Sequence, residues 1–232
     1  MIFLNRARLV ILSQPKTGTT ALESALTPRS AISISKPPEL KHMSYRGFMA
    51  HLAPMIEAHT GMTRSDYEVV SVMREPIYWL GSWYRYRTRD ELRKPGNPRS
   101  VNYTGDLSFE EFVLDVCKPA DEQPPHARIK TPSWVALAAP GTIGIDRLYP
   151  YENLADLYQL IIDRTGKPID TRLANVSPEM PLSLPGKTES LLRDRDAVEF
   201  ELHASLKRDG RIEDKFKGTT SNPMSGDISP GV

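Results

Sequence analysis

The sequence is short of the residues that build covalent or metal cross-links. One cysteine, Cys117, stands among 232 residues, which excludes an internal disulfide and any zinc-ribbon spacing. The histidines His42, His51, His59, His126 and His203 form no ligand cluster, so no metal is expected. No apolar run approaches the ~20 residues of a membrane span. The opening Met1-Ile2-Phe3-Leu4-Asn5-Arg6 has neither a charged segment ahead of an apolar stretch nor a cleavage signal. A soluble cytoplasmic protein without a membrane span is expected. A surplus of charge is missing too: Lys plus Arg total 30 against 29 Asp plus Glu, a net +1. That balance argues against a nucleic-acid partner, while a local basic pocket remains compatible with it. Nothing in the pattern bears on oligomeric state.

What is present is a globular composition, 39% hydrophobic and 25% charged, with 20 prolines. Proline at about 9%, against a typical ~5%, means many loops and sharp element boundaries. Arg8-Leu9-Val10-Ile11-Leu12-Ser13 reads as a buried strand stopped by Gln14-Pro15. A loop and a helix over 21–26 follow. Residues 31–35 read as a second strand, 44–59 as a helix and 67–73 as a strong strand running into a helix over 76–92. Ser108-Phe109-Glu110-Glu111 caps a helix to about 116. Weaker strands are expected at 142–145 and 147–151, then helices over 154–164 and 189–206. Alternating strands and helices imply an α/β fold with a central parallel sheet flanked by helices. One domain over 1–217 is expected, followed by a disordered Gly/Ser/Pro-rich tail at 218–232.

Gln14-Pro15-Lys16-Thr17-Gly18-Thr19-Thr20 joins a strand's carboxyl end to a helix's amino end. Unpaired amides and the helix dipole favour an anion there. Gly18 allows close approach, Lys16 adds a point charge, and Thr17, Thr19 and Thr20 add hydroxyls. An ordinary P-loop places its Lys directly after the second glycine. Here Lys16 precedes Gly18 and no glycine lies five residues earlier, so the parts suit a phosphate but not an ordinary ATPase.

Pro15-Lys16-Thr17-Gly18-Thr19-Thr20 resembles the 5′-phosphosulfate loop of sulfotransferases that use 3′-phosphoadenylyl sulfate. Arg74-Glu75-Pro76 and Ser82 resemble that family's 3′-phosphate motif, an Arg at a strand end and a Ser eight residues later on the next helix. A guanidinium fork suits phosphate oxygens and a hydroxyl adds a neutral donor. The resemblance, closer to the carbohydrate-directed branch, implies a P-loop NTPase-like three-layer sandwich. It also implies transfer of a sulfuryl group from 3′-phosphoadenylyl sulfate to a hydroxyl or amine of a carbohydrate or small-molecule acceptor, leaving 3′-phosphoadenosine 5′-phosphate. Weaker echoes are Glu152 at the end of a late strand and Asn175-Val176-Ser177. The Gly-rich loop of the small-molecule branch has no counterpart; Lys215-Phe216-Lys217-Gly218 is a poor substitute.

On this reading Lys16 stabilises charge on the leaving phosphate, and Pro15, Thr17, Gly18, Thr19, Thr20, Arg74 and Ser82 complete the donor contacts. The base lies in Lys36-Pro37-Pro38-Glu39-Leu40-Lys41-His42, with His42 the first choice because imidazole titrates near neutrality, and Glu39 the second. The basic run Arg85, Arg87, Arg89, Arg93, Lys94 and Arg99 reads either as a solvated helix end or as an anionic acceptor groove. Trp83, Tyr84, Tyr86 and Tyr103 suit core packing or sugar stacking. Trp134 suits core packing or an adenine platform. The alternatives are a P-loop nucleotide kinase, or a nucleotide- or glycan-binding module without turnover.

Overall fold

The computed structural model describes residues 1–94, 96–169 and 182–218. Its first two strands, β1 (Ile2–Leu4) and β2 (Leu9–Ile11), form a hairpin that the sequence reading did not foresee, having placed no strand before residue 8. β1 also pairs antiparallel with β3 (Ile32–Ser33). β4 (Glu68–Met73) and β7 (Arg147–Pro150) extend β2 in parallel. The sheet order is therefore β3-β1-β2-β4-β7: the expected parallel sheet is present as the centre, β2-β4-β7, of a mixed one whose β1 is antiparallel. Hairpin closure is the reason: four residues between β1 and β2 are too few for a parallel crossover. Thr142 and Ile143 form β6 in a separate hairpin with β5 (Leu137–Ala139), outside the main sheet.

Period-two alternation sends the strand residues to both faces. Ile2, Leu4, Leu9, Ile11, Val70 and Val72 pack against Leu22 and Leu26 of α1 (Thr19–Leu26) and Leu157 and Ile161 of α8 (Ala155–Thr165). Phe3, Val10, Leu12, Val69, Met73 and Leu148 face the other side, where Phe48, Ile56, Leu202 and Phe216 cover them. Each such side chain contributes roughly 1.5–3 kcal/mol on burial. The result is a layer of helices on each face of the sheet. The short helix α2 (Pro38–Lys41) is followed by a longer segment, α3 (Tyr45–Gly47) to α4 (Ala53–Thr60), which carries Phe48 and Ile56 onto that second face. One wide turn at Phe48–Leu52 joins those two, with the Ala53 amide donating to Phe48 O. That widening relieves Pro54, which lacks an N–H and whose ring crowds the preceding turn.

A third cluster packs α5 (Pro76–Arg87) against α7 (Phe109–Cys117) and α9 (Gly186–Arg195) through Trp79, Tyr84, Phe112 and Leu192. The helix expected over 76–92 ends at Arg87. Thr88 Oγ1 donates back to Arg85 O at 2.9 Å and the Thr104 amide takes Arg87 O at 3.2 Å, so α6 (Asp90–Arg93) starts on a new axis. Likewise the helix expected over 189–206 breaks at Asp196 into α9 and α10 (Ala197–Ser205). Residues 219–232 and the Asn175-Val176-Ser177 echo lie outside the described residues. No helix among the described residues is long and apolar enough to cross a membrane.

Candidate functional site

Sheet direction decides where the site forms. β2, β4 and β7 are parallel, and β3 runs with them because each of its two steps from β2 is antiparallel. The carboxyl ends of these four strands therefore open on one edge, where ligands of open α/β sheets bind. The Lys16 loop follows β2, Arg74 follows β4, Tyr151 follows β7, and the His42 segment follows β3. All four border one cleft of about 910 Å³.

The loop after β2 is held in an uncommon shape. Lys16 sits at φ 64° and Gly18 at φ 67°, both left-handed. For glycine this is free, whereas for lysine it costs about 1–3 kcal/mol and needs support from its surroundings. Trp79 Nε1 donates to Pro15 O at 3.2 Å and Arg74 Nη1 to Lys16 O at 3.4 Å. Thr17 is buried and its hydroxyl donates to Gln14 O at 2.8 Å, so that hydroxyl shapes the loop and is not offered to a ligand. Pro15, Lys16, Gly18, Thr19, Thr20, Arg74 and Ser82 border the cleft, whereas Thr17 does not. Gly18 is also the N-cap of α1, so the loop ends on that helix's unpaired amides.

The cleft's charge is one-sided. Lys16, Lys36, Lys41, Arg74, Arg87, Arg89 and Arg99 border it, and among the described residues no carboxylate does. Several of these cations lie on aromatic faces instead of in salt bridges. Lys16 Nζ is 4.2 Å from the Tyr86 ring centroid, Arg89 is 4.9 Å from the same ring, and Arg74 is 4.6 Å from Tyr151. Ring quadrupoles hold a cation without cancelling its charge. Burial first, then repulsion from Arg89, Arg74, Arg85 and Arg87, lowers the Lys16 pKa to about 8. Arg74 Nε and Trp83 Nε1 are buried with no protein acceptor among the described residues. Such orphaned donors cost about 1–3 kcal/mol each, and an oxygen-rich anion in the cleft is the kind of group that supplies acceptors.

His42 borders the same cleft. Its Nδ1 is 2.7 Å from Ser13 O, which makes Nδ1 the protonated nitrogen and leaves the Nε2 lone pair free. Burial pushes its pKa below the ordinary 6.5, against the raising effect of the Ser13 hydrogen bond. Ser13 is itself fixed from beneath: its hydroxyl donates to the buried Glu23 carboxylate at 2.6 Å. Glu23 also pairs with Lys41 Nζ at 2.8 Å, and Lys41 donates to Thr20 Oγ1 at 3.0 Å. The wall carrying His42 and the helix carrying Thr20 are thus tied together. Glu39 lies exposed on α2 and does not border this cleft.

A second compartment of about 570 Å³ adjoins the first. Pro15, Pro38, His42, Trp83 and Arg87 border both, and Trp79, Trp134 and Glu39 border only the second. Trp134 therefore borders the second compartment and not the cationic cleft. The basic run is also redistributed. Because α5 ends at Arg87, Arg89 turns back over Tyr86, and Arg89 and Arg99 join the Lys16 cleft. Lys215 is committed to Glu201 at 2.6 Å, and Glu152 clasps the Glu75 amide and His203. Tyr151 and Lys41 were missed as site residues, and Tyr86, read as core or sugar-stacking, instead faces Lys16. The strand-end position of Tyr151 and the proximity of Lys41 to His42 are the only signals of them in sequence. Compared with family models, characterised proteins and solved structures, the chain has no match.

Proposed function

We propose that this chain is a P-loop-like sulfotransferase that moves a sulfuryl group from 3′-phosphoadenylyl sulfate to a hydroxyl or amine of a carbohydrate or small-molecule acceptor. The observation that carries the reading is the meeting of Lys16, Arg74 and Ser82 with a neutral, oriented His42 on one cleft at the α1 N-terminus, bordered by no carboxylate among the described residues. The acceptor oxygen attacks sulfur as the bond from sulfur to the bridging phosphate oxygen breaks. The acceptor proton passes to His42 Nε2, and the electron pair of the broken bond stays on the phosphate oxygen, where Lys16 and the loop amides meet the growing charge. Arg74 and Ser82 hold the 3′-phosphate. A magnesium–nucleotide kinase calls for a carboxylate near the phosphates, and the cleft supplies none among the described residues.

In a thermal-shift assay without magnesium, 3′-phosphoadenosine 5′-phosphate at about 100-fold over its Kd stabilises by about 2.7 kcal/mol. For a chain of this size that is roughly 5–11 °C in Tm. A larger shift with magnesium–ATP would replace this reading with the kinase, and nucleotide binding without transfer to any acceptor would replace it with a binding module. Arg74→Ala weakens 3′-phosphoadenosine 5′-phosphate binding about 10–100-fold by calorimetry, the size of a lost charge-assisted contact, and leaves turnover at saturating donor nearly intact. An unchanged Kd would remove Arg74 from the donor site.

A further inference from the structure

The second compartment differs in chemistry from the first, and this difference narrows the acceptor. Three indoles, Trp79, Trp83 and Trp134, border it together with Leu40, Met43 and Ile129. Apart from its cations and His42, its polar residues are Glu39, Ser44 and His51. Ser44 Oγ already accepts from the Gly47 amide, and Glu39 and His51 are exposed. A sugar ring carries a hydroxyl on most of its carbons, and each one desolvated without a partner costs about 1–3 kcal/mol. These walls suit a flat apolar body instead.

One wall is cationic. Arg128 and Lys130 flank Ile129 there, and neither makes an ion pair among the described residues. Lys130 Nζ rests 4.2 Å from the Trp134 ring centroid, and Arg128 uses only Nε, on Gln123 O at 2.9 Å. The wall shared with the donor cleft carries His42.

Resting on the sulfotransferase reading, we propose that the acceptor is an aromatic hydroxy acid. Its ring lies among the indoles, its hydroxyl meets His42, and its carboxylate meets Arg128 and Lys130. The hydroxyl oxygen forms the new bond to sulfur, its proton goes to His42, and 3′-phosphoadenosine 5′-phosphate leaves with the electron pair.

The test uses para-coumarate, its neutral methyl ester and cellobiose, with binding read by calorimetry in the absence of donor and transfer read with labelled 3′-phosphoadenylyl sulfate. Para-coumarate is expected to bind and to react at least tenfold better than its ester, and cellobiose is expected to do neither. In the double variant R128A/K130A the tenfold preference disappears, while affinity for the ester and for 3′-phosphoadenosine 5′-phosphate stays at the wild-type value. Equal affinity for acid and ester in the wild-type protein, or transfer to cellobiose in preference to para-coumarate, overturns the proposal and leaves the donor reading standing. Acid-selective binding in a protein that fails to bind 3′-phosphoadenosine 5′-phosphate upholds the acid site, and it is the donor reading that then falls.

Discussion

Lys16→Met lowers kcat/KM for sulfuryl transfer by roughly a hundred- to a thousandfold, the size of one lost transition-state charge contact, and raises thermal stability at pH 7. The two effects have one cause. Lys16 is kept charged in a half-buried place beside Arg74, Arg85, Arg87 and Arg89, and its pKa is lowered to about 8 from an ordinary 10.5. Methionine retains an apolar stem and a thioether for the Tyr86 face while removing the charge. The pH dependence has a definite sign. Between about 8 and 10.5 the unfolded chain holds a proton on Lys16 that the folded chain has released, so wild-type stability rises with pH in that window. Below about 8 the penalty is fully present. The variant lacks this penalty, so its advantage in Tm is largest at pH 7 and shrinks by pH 10. Calorimetric melting at both pH values checks it. A variant less stable than wild type at pH 7 would show that Lys16 is held by favourable contacts, and retained transfer would remove it from the chemistry.

His42→Ala lowers turnover about 10²–10⁴-fold, the range for a lost general base, with donor affinity unchanged. The wild-type profile carries the same information. A base must be unprotonated, so kcat/KM rises with pH through the His42 pKa, which lies below the ordinary 6.5. It falls again as free Lys16 loses its proton near pH 8, giving a bell whose limbs belong to the unliganded protein. In kcat the upper limb moves to higher pH, because an anionic donor favours the charged lysine. His42→Ala removes the lower limb. Full activity in that variant, with loss in Glu39→Gln, would transfer the role of base to Glu39.

Much of this was legible locally. Branched apolar runs at 8–13 and 67–73 mark strands because a buried strand needs nothing else, and Pro76 and Ser108 mark helix starts by their backbone chemistry. The Lys16 loop and the Arg74-to-Ser82 spacing were readable for the same reason: each motif is contained in a few consecutive residues. The β1 hairpin was not, because three apolar residues beside a chain start carry no period. The break of α5 at Arg87 was not, because it depends on a bond from the distant Thr104 amide.

By itself, then, the sequence determined most of the elements and the Lys16 loop between β2 and α1, since backbone preference and side-chain period act over a few positions. Tertiary structure alone decided that Arg89 and Arg99 join the Lys16 cleft, that Ser13 O selects the His42 tautomer, and that Trp79 and Trp134 border a second compartment while Trp83 borders both. It also decided the lowered Lys16 pKa. Desolvation and through-space charge depend on what is near in space, and the groups responsible lie up to 73 residues away along the chain, as Arg89 does from Lys16.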